Sequence, residues 1–441
     1  MEQVALRSRG PFLLVFVVLT LGSMSAAGGA VRVHGMPLPE FHATARSAQF
    51  SLLYSFKGPA AGMFPGSPLL QDKAGNLYGT TSYGGHINPQ GCSVNGCGVV
   101  YMVDPRGTET LVHEFSGYPV DGALPGGGLV ADAAGNLYGT AEAGGGSNSG
   151  VVYKIDAKGN ETVLYSFCPN SPHCDDGRMP VSNLTIDAAG DLFGVTAYGG
   201  LTTGTCGGAN FGCGVLFKIA SSGKESVLYA FRGSPSDGQN PFANLILDDG
   251  KLVGTTLYGG TASNPCAGSV PGCGTLFSVT LKGKERVLHF FSGGNQDGDF
   301  PMGGVIKDNA GNVYGTTQSG GPANSGVVYE IDAASGSERL LYAFKGDSMG
   351  DGSLPTGWLV RDNEGKLYGT TLQGGAVKRG GYGTVYEVTP SGTEIVLHTF
   401  SAGRRDGAQP LAGLLRSGRT LYGTTNLGGA QSWGTVFAVR F

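Results

Sequence analysis

One seven-residue segment of this chain returns seven times. Gly79-Thr80-Thr81-Ser82-Tyr83-Gly84-Gly85 recurs as GTAEAGG from Gly139, GVTAYGG from Gly194, GTTLYGG from Gly254, GTTQSGG from Gly315, GTTLQGG from Gly369 and GTTNLGG from Gly423, at spacings of 60, 55, 60, 61, 54 and 54 residues. Self-similarity at such a period means one supersecondary unit used repeatedly, not several unrelated domains. Each copy keeps the same company. A turn such as Asp72-Lys73-Ala74-Gly75-Asn76 precedes it, and a β-branched and aromatic run follows, such as GVVY from Gly98, GVLF from Gly214 or GTVF from Gly434. A further run ends in phenylalanine, as in LLYSF from Leu52, VLYSF from Val163 and VLYAF from Val227. With an apolar run before the turn, every unit holds four short runs bounded by Gly, Asp or Asn, which is strand length with strand punctuation. Four strands in each of seven units predict an all-β, seven-bladed β-propeller. Composition agrees: the 80 glycines would each cost ~1 kcal/mol inside helices. They keep no every-third register, so collagen is excluded, and 40% hydrophobic residues with 21 Phe and 18 Tyr supply a core that disordered chains lack.

The phase of the repeat predicts how it closes. The first repeat element is a fourth-strand run standing alone, Leu52 to Phe56, and the last is a third-strand run, Gly434 to Phe441, with nothing after it. Pairing the two completes blade seven and removes the exposed edges of an open array. With strands lettered A to D from the axis outward, the B–C and D–A loops emerge on one face and the A–B and C–D turns on the other. Every D–A loop ends in a proline: Pro65, Pro125, Pro180, Pro241, Pro301, Pro355 and Pro410. Proline is expected there as the first residue of strand A. Six of these loops carry Asp-Gly (Asp121, Asp176, Asp237, Asp297, Asp351 and Asp406), where blade one has Ala61-Gly62.

The unit D-G-x-x-P … G-N-L-Y-G-T-T-x-x-G-G … G-V-V-Y … V-L-Y-x-F resembles the Gloeo/Verruco-type (GloVer) tandem repeat, over about residues 50 to 441. The resemblance implies an exported bacterial repeat protein, and it implies no reaction. Members of that group often add a C-terminal surface anchor; none is expected here, because the chain ends at Arg440-Phe441 without a sorting segment.

The N-terminus supports export. Arg7 and Arg9 precede the apolar run Phe12 to Leu21, and Ser25-Ala26-Ala27 offers small residues for cleavage, which is the layout of a secretory signal peptide over residues 1–27. Residues 28–49 read as a flexible tether and 50–441 as the propeller. No second apolar run follows, so no membrane span is expected in the mature protein. A net charge of −4 lacks the basic surface that nucleic acid requires. A monomer without cofactor or metal is expected.

The eight cysteines form four close pairs, Cys92/Cys97, Cys168/Cys174, Cys206/Cys213 and Cys266/Cys273. In an exported protein these read as disulfides between neighbours, each worth ~2–3 kcal/mol on the chain-entropy view. The spacings lack the paired histidines of a zinc set. Between Gly-Gly and the next strand, blades one, three and four have 12, 13 and 13 residues, whereas blades two, five and seven have 4 and blade six has 7. The three long loops hold cystines, and the same three blades carry a tyrosine before Gly-Gly: Tyr83, Tyr198 and Tyr258. Stapled, polar loops with an aromatic at each root suit binding of an extracellular glycan or of another protein. The competing expectation is that each tyrosine packs under its own loop. Six Asp-Gly pairs without a D-x-D-x-D-G loop are turn chemistry and not a calcium site. His113, His289 and His398 stand where strand D otherwise has tyrosine, and they read as structural. His86, His173 and Arg178 fall on the long-loop face and are the candidates should a polysaccharide lyase be built there. A purely structural envelope scaffold is the third possibility.

Overall fold

Each outermost strand ends in a phenylalanine, and that residue explains how one blade finds the next. Phe56, Phe115, Phe167, Phe231, Phe291, Phe344 and Phe400 are all buried. Each packs edge-to-face on an aromatic of the following blade's third strand. The pairs are Phe56–Tyr101, Phe115–Tyr153, Phe167–Phe217, Phe231–Phe277, Phe291–Tyr329, Phe344–Tyr386 and Phe400–Phe437, with ring centroids 4.9–5.2 Å apart. Such pairs add ~0.5–1.5 kcal/mol each beyond the area they bury. The computed structural model of the chain describes residues 48–87, 92, 94–170, 174–201, 206, 212–261, 266, 272–346, 350–375 and 381–441. It is a seven-bladed β-propeller.

Blade six shows the unit. From the axis outward its strands are Val360–Arg361, Leu367–Gly374, Thr384–Val388 and Glu394–Thr399, all antiparallel. Closure follows the predicted phase. Gln49–Ser55 pairs with Thr435–Arg440 from Gln49↔Arg440 to Ser55↔Thr435, beyond Thr420–Thr425 and the innermost Leu415–Ser417. The N-terminal strand is the outer edge of the last blade.

The innermost strand differs from expectation. It starts at or just after the Asp-Gly glycine, ahead of the proline, and breaks in two: Arg178–Pro180 pairs with the far end of Leu192–Tyr198, and Thr185–Ile186 pairs with its start. The residue before each proline has a left-handed φ of 53–59° in all seven blades (Phe64, Leu124, Met179, Asn240, Phe300, Leu354 and Gln409), and the strand pairing lapses at it or just beyond the proline. That conformation costs a non-glycine residue ~1–2 kcal/mol, and an inter-blade hydrogen bond offsets it. The amide of Leu124 donates to the Cys97 carbonyl at 2.8 Å, Leu354 to Ser325 at 2.9 Å, and Phe64 to Trp433 at 3.0 Å, the last joining blade one to blade seven. The following proline lies against the glycine that opens the preceding blade's third strand. A Cβ on Gly150 would stand 2.3 Å from Pro180 Cδ, so glycine there is a packing requirement. Threonine adds inner ties, such as Thr140 Oγ1 to the Ser182 carbonyl at 3.0 Å and Thr424 Oγ1 to that of Ser67 at 3.1 Å.

The Asp-Gly aspartates do more than cap their own turns. Asp351 Oδ1 accepts from the Gly352 amide at 2.6 Å, while Oδ2 accepts from the Lys345 amide at 2.8 Å and the Tyr342 hydroxyl at 2.7 Å. The aspartate thus pins the D–A loop to the outermost strand of the preceding blade. Each of the six sits beside a glutamate or its replacement at the head of the next outermost strand. Burial together with Asp351 pushes Glu394 up to about 7, against the pull of Lys345.

Candidate functional site

The B–C and D–A loops share one face, and all four disulfides lie there. Cys92–Cys97, Cys168–Cys174, Cys206–Cys213 and Cys266–Cys273 are bonded as neighbours, with Cα separations of 5.0, 4.4, 5.2 and 5.4 Å. Loop interiors 88–91, 202–205, 207–211, 262–265 and 267–271 lie outside the described residues, as does His173. At the root of these loops, the first segment of each innermost strand lies opposite the residue before Gly-Gly. This sets cross-strand pairs on the face: Met63 with Tyr83, Arg178 with Tyr198, and Gln239 with Tyr258. Blade two has Ala123 with Ala143 at this level, blade five Asp299 with Ser319, blade six Ser353 with Gln373 and blade seven Ala408 with Leu427.

The predicted residues separate into two groups. Tyr198 and Tyr258 come from adjacent blades and feel each other electrostatically. Burial pushes the Tyr198 phenol up while Arg178 pulls it back; burial and then Tyr198 push Tyr258 up. Both rings are half-buried. One edge of Tyr258 meets Phe300 of blade five at 5.6 Å. Blade four's Asn240 reaches back to donate its side-chain amide to the Ala197 carbonyl at 2.8 Å, next to Tyr198. Two aromatic rings, a guanidinium and a primary amide therefore stand side by side between two stapled loops. Tyr83 lies apart on blade one, edge-on to Phe64, which in turn meets Trp433 of blade seven, with centroids at 5.9 and 5.5 Å. Burial raises the Tyr83 phenol, with Glu142 adding to it, and burial alone carries Glu142 up to about 7. His86 is exposed, with its carbonyl accepting from the Cys97 amide at 3.2 Å.

Gln239, Asn240, Phe300 and Trp433 escaped the sequence reading. Their signal was positional: the two residues before each loop proline vary while their neighbours repeat, and Trp433 is one of only two tryptophans. A second concavity was also missed. The axis holds a cavity of about 560 Å³, lined by leucines and by Asn183, Asn244 and Trp358, with Lys307, Arg361 and Arg416 toward the A–B turns. Lys307 is paired with Asp248, and Arg361 lies 5.8 Å from the Tyr314 ring centre.

None of the three tyrosines is placed as a base. Burial holds each phenol in its protonated form, so what they present is ring surface and hydroxyl donors. Among the described residues, no helix is long and apolar enough to cross a membrane.

In structure, the chain is similar to an oligogalacturonate lyase from Vibrio parahaemolyticus, with a TM-score of 0.51 and 11% identity over 89% of this chain and 97% of that one. It is also similar to a luciferin-regenerating enzyme, with a TM-score of 0.41 and 13% identity over 90% of this chain and 96% of that one. At 11% identity the likeness to the lyase is one of fold. No curated protein matches in sequence. The family profile of the Gloeobacter/Verrucomicrobia repeat matches residues 40–206, 203–380 and 265–440, together nearly all of the propeller. The repeat that builds the blades is thus the repeat that defines the group, and the chain belongs to the Gloeobacter/Verrucomicrobia repeat family.

Proposed function

We propose that this is an exported binding module whose ligand is an extracellular glycan, held over blades three and four. The observation that carries this reading is the neighbouring pair Arg178–Tyr198 and Gln239–Tyr258, set between the Cys206–Cys213 and Cys266–Cys273 loops. Tyrosine offers a flat apolar face with a polar tip, the arrangement that suits a sugar ring with its axial hydrogens on one side and its hydroxyls at the edge. Arg178 favours an acidic sugar, since a guanidinium fits a carboxylate with two parallel hydrogen bonds. Disulfides beside the rings limit the loop ordering that binding would otherwise require. Four disulfides also accord with export, because such bonds persist in oxidising compartments. A lyase reading gains nothing from the three tyrosines, because burial keeps their phenols protonated and none of them supplies the base that β-elimination needs.

The test is a glycan array on the oxidised mature protein, followed by titration of the best neutral and uronate-containing hits. Tyr198→Ala with Tyr258→Ala should weaken binding ~30-fold or more, as loss of ~2 kcal/mol at a hot spot implies. Melting should shift little, because the rings are only half-buried. Normal binding by the double variant, or formation of unsaturated uronate by the wild type, would defeat the proposal.

A further inference from the structure

At most blade junctions a loop aspartate meets two residues: the one two places before the preceding terminal phenylalanine, and the glutamate that opens the next outermost strand. Where the first is tyrosine, its hydroxyl donates straight to the aspartate: Tyr165 to Asp176 at 2.8 Å, and Tyr229 to Asp237 and Tyr342 to Asp351 at 2.7 Å. Three junctions have histidine instead, and they behave in two ways. Between blades six and seven, Phe50 replaces the glutamate and stacks on His398 at 3.9 Å, and His398 Nε2 closes to 3.0 Å from Asp406 Oδ1. Between blades one and two, and four and five, Glu161 and Glu338 are present. There the imidazole stands off, with His113 Nε2 3.4 Å from Asp121 Oδ2, and His289 Nε2 3.5 Å from Asp297 Oδ2 and 3.6 Å from Glu338 Oε2.

These separations are long for a hydrogen bond and right for something else. Zinc takes imidazole nitrogen and carboxylate oxygen at ~2.0–2.2 Å in a tetrahedron, whose edges are then about 3.3–3.6 Å. In both junctions one ligand atom from each of the three residues lies within 4.8 Å of the others. Both Nε2 atoms, and Oε1 of Glu161 and Glu338, are buried without a hydrogen-bond partner. The fully buried hydroxyls of Tyr153 and Tyr329 also lack one, in the field of the same carboxylates. Glutamate and tyrosine orphans recur at other junctions; the unpartnered histidine is specific to these two. The aspartates are already oriented: Asp121 accepts from the Ser116 amide at 2.7 Å and from its hydroxyl at 3.1 Å, and Asp297 from Ser292 at 2.6 and 2.7 Å. Such outer hydrogen bonds hold a metal-ligating carboxylate in place. Calcium, which wants six to eight oxygens, is a poor match for three ligand atoms of which one is nitrogen.

We propose that His113, Asp121 and Glu161, and separately His289, Asp297 and Glu338, are two zinc sites that clamp blade one to two and blade four to five. Each leaves a fourth position for water and acts independently of the glycan face. The test uses the oxidised, tag-free chain stripped with chelator, titrated calorimetrically with Zn²⁺ and checked with Co²⁺ for tetrahedral d–d absorption. Two ions should bind per chain and raise the melting temperature. His113→Tyr should leave one site and His113→Tyr/His289→Tyr none, while His398→Tyr keeps both. Tyrosine already occupies this position at other junctions of the same protein, so these variants retain a compatible fold. Should they not fold, Glu161→Gln/Glu338→Gln makes the same comparison. Absence of saturable zinc binding by the folded wild type, retention of both ions by the double variants, or stabilisation by calcium in place of zinc would each overturn the assignment.

Discussion

Glu394 provides a test of the junction carboxylates that does not involve the histidines. It opens the outermost strand of blade six, where burial first and Asp351 second push its carboxyl from 4.5 up to about 7, with Lys345 opposing. Tyr342 and Tyr386 complete its surroundings, and both phenols are themselves raised, chiefly by burial. The sign follows from linkage. Between the unfolded value of 4.5 and the folded value of about 7, the native chain holds a proton that the unfolded chain has released. The stability is therefore complete below about pH 4.5 and declines as pH rises through 7. At ~1.4 kcal/mol per tenfold, the full displacement corresponds to at most ~3 kcal/mol, and the partial solvent access of this largely buried side chain reduces it to ~1–2 kcal/mol. Glu394→Gln keeps the shape without the charge. The variant should match the wild type near pH 4.5 and exceed it by ~1–2 kcal/mol near pH 8.5. With ~2.1 cal/mol/K per residue over about 390 residues, that is a gain of ~1–2.5 °C in melting temperature at the higher pH. Calorimetry of both proteins across this range is the assay. A difference that stays constant with pH, or that favours the wild type at alkaline pH, would show that Glu394 is not held protonated by its neighbours.

Two further outcomes test the architecture. Deleting Ser51 to Lys57 removes the outer strand of blade seven and the buried Phe56, leaving Thr435–Arg440 as an open edge; light scattering should then show aggregation, and a monodisperse, cooperatively melting product would contradict ring closure by this strand. Gly326→Ala places a Cβ 2.5 Å from Pro355 Cδ at φ +94°, whereas Gly223→Ala at φ +86° meets nothing within 4 Å; the first should cost ~2–5 kcal/mol and the second ~1–2 in denaturant titrations, and equal losses would mean that the glycine–proline contact does not constrain the junction.

The fold was legible because a repeat states each constraint seven times. The strands, their order and the closure by Leu52 to Phe56 all follow from the spacing and phase of short apolar runs. The two-part innermost strand was not legible, because left-handed φ at Phe64, Met179 or Leu354 arises from an inter-blade hydrogen bond and not from any local preference of those residues. Disulfide pairing was readable from the close spacing of the cysteines. The candidate face was readable only in part: the tyrosines repeat in a recognisable position, while their partners Arg178 and Gln239 sit at a position that varies from blade to blade. His113, Asp121 and Glu161 come together from two blades, and their sequence separations carry no metal-ligand pattern.

What separates scaffold from site in such a molecule is departure from the sevenfold rule. A residue that recurs in all seven blades, like the terminal phenylalanine or the loop proline, is explained by the junction it makes. A residue that departs needs its own cause, and the departures here are not scattered at random. Long loops and tyrosine coincide on blades one, three and four, on the B–C and D–A face. Histidine with glutamate coincides at two junctions, whereas the third histidine has lost the glutamate and closed on its aspartate. In this chain the imidazole stands away from the aspartate only where glutamate is present to share the gap, so geometry and identity change together. That difference in geometry on a repeated frame, with glutamate the rule at the junctions and histidine the departure, is what marks the two sites. The tyrosine variants put it to the test, because they restore the rule and nothing else.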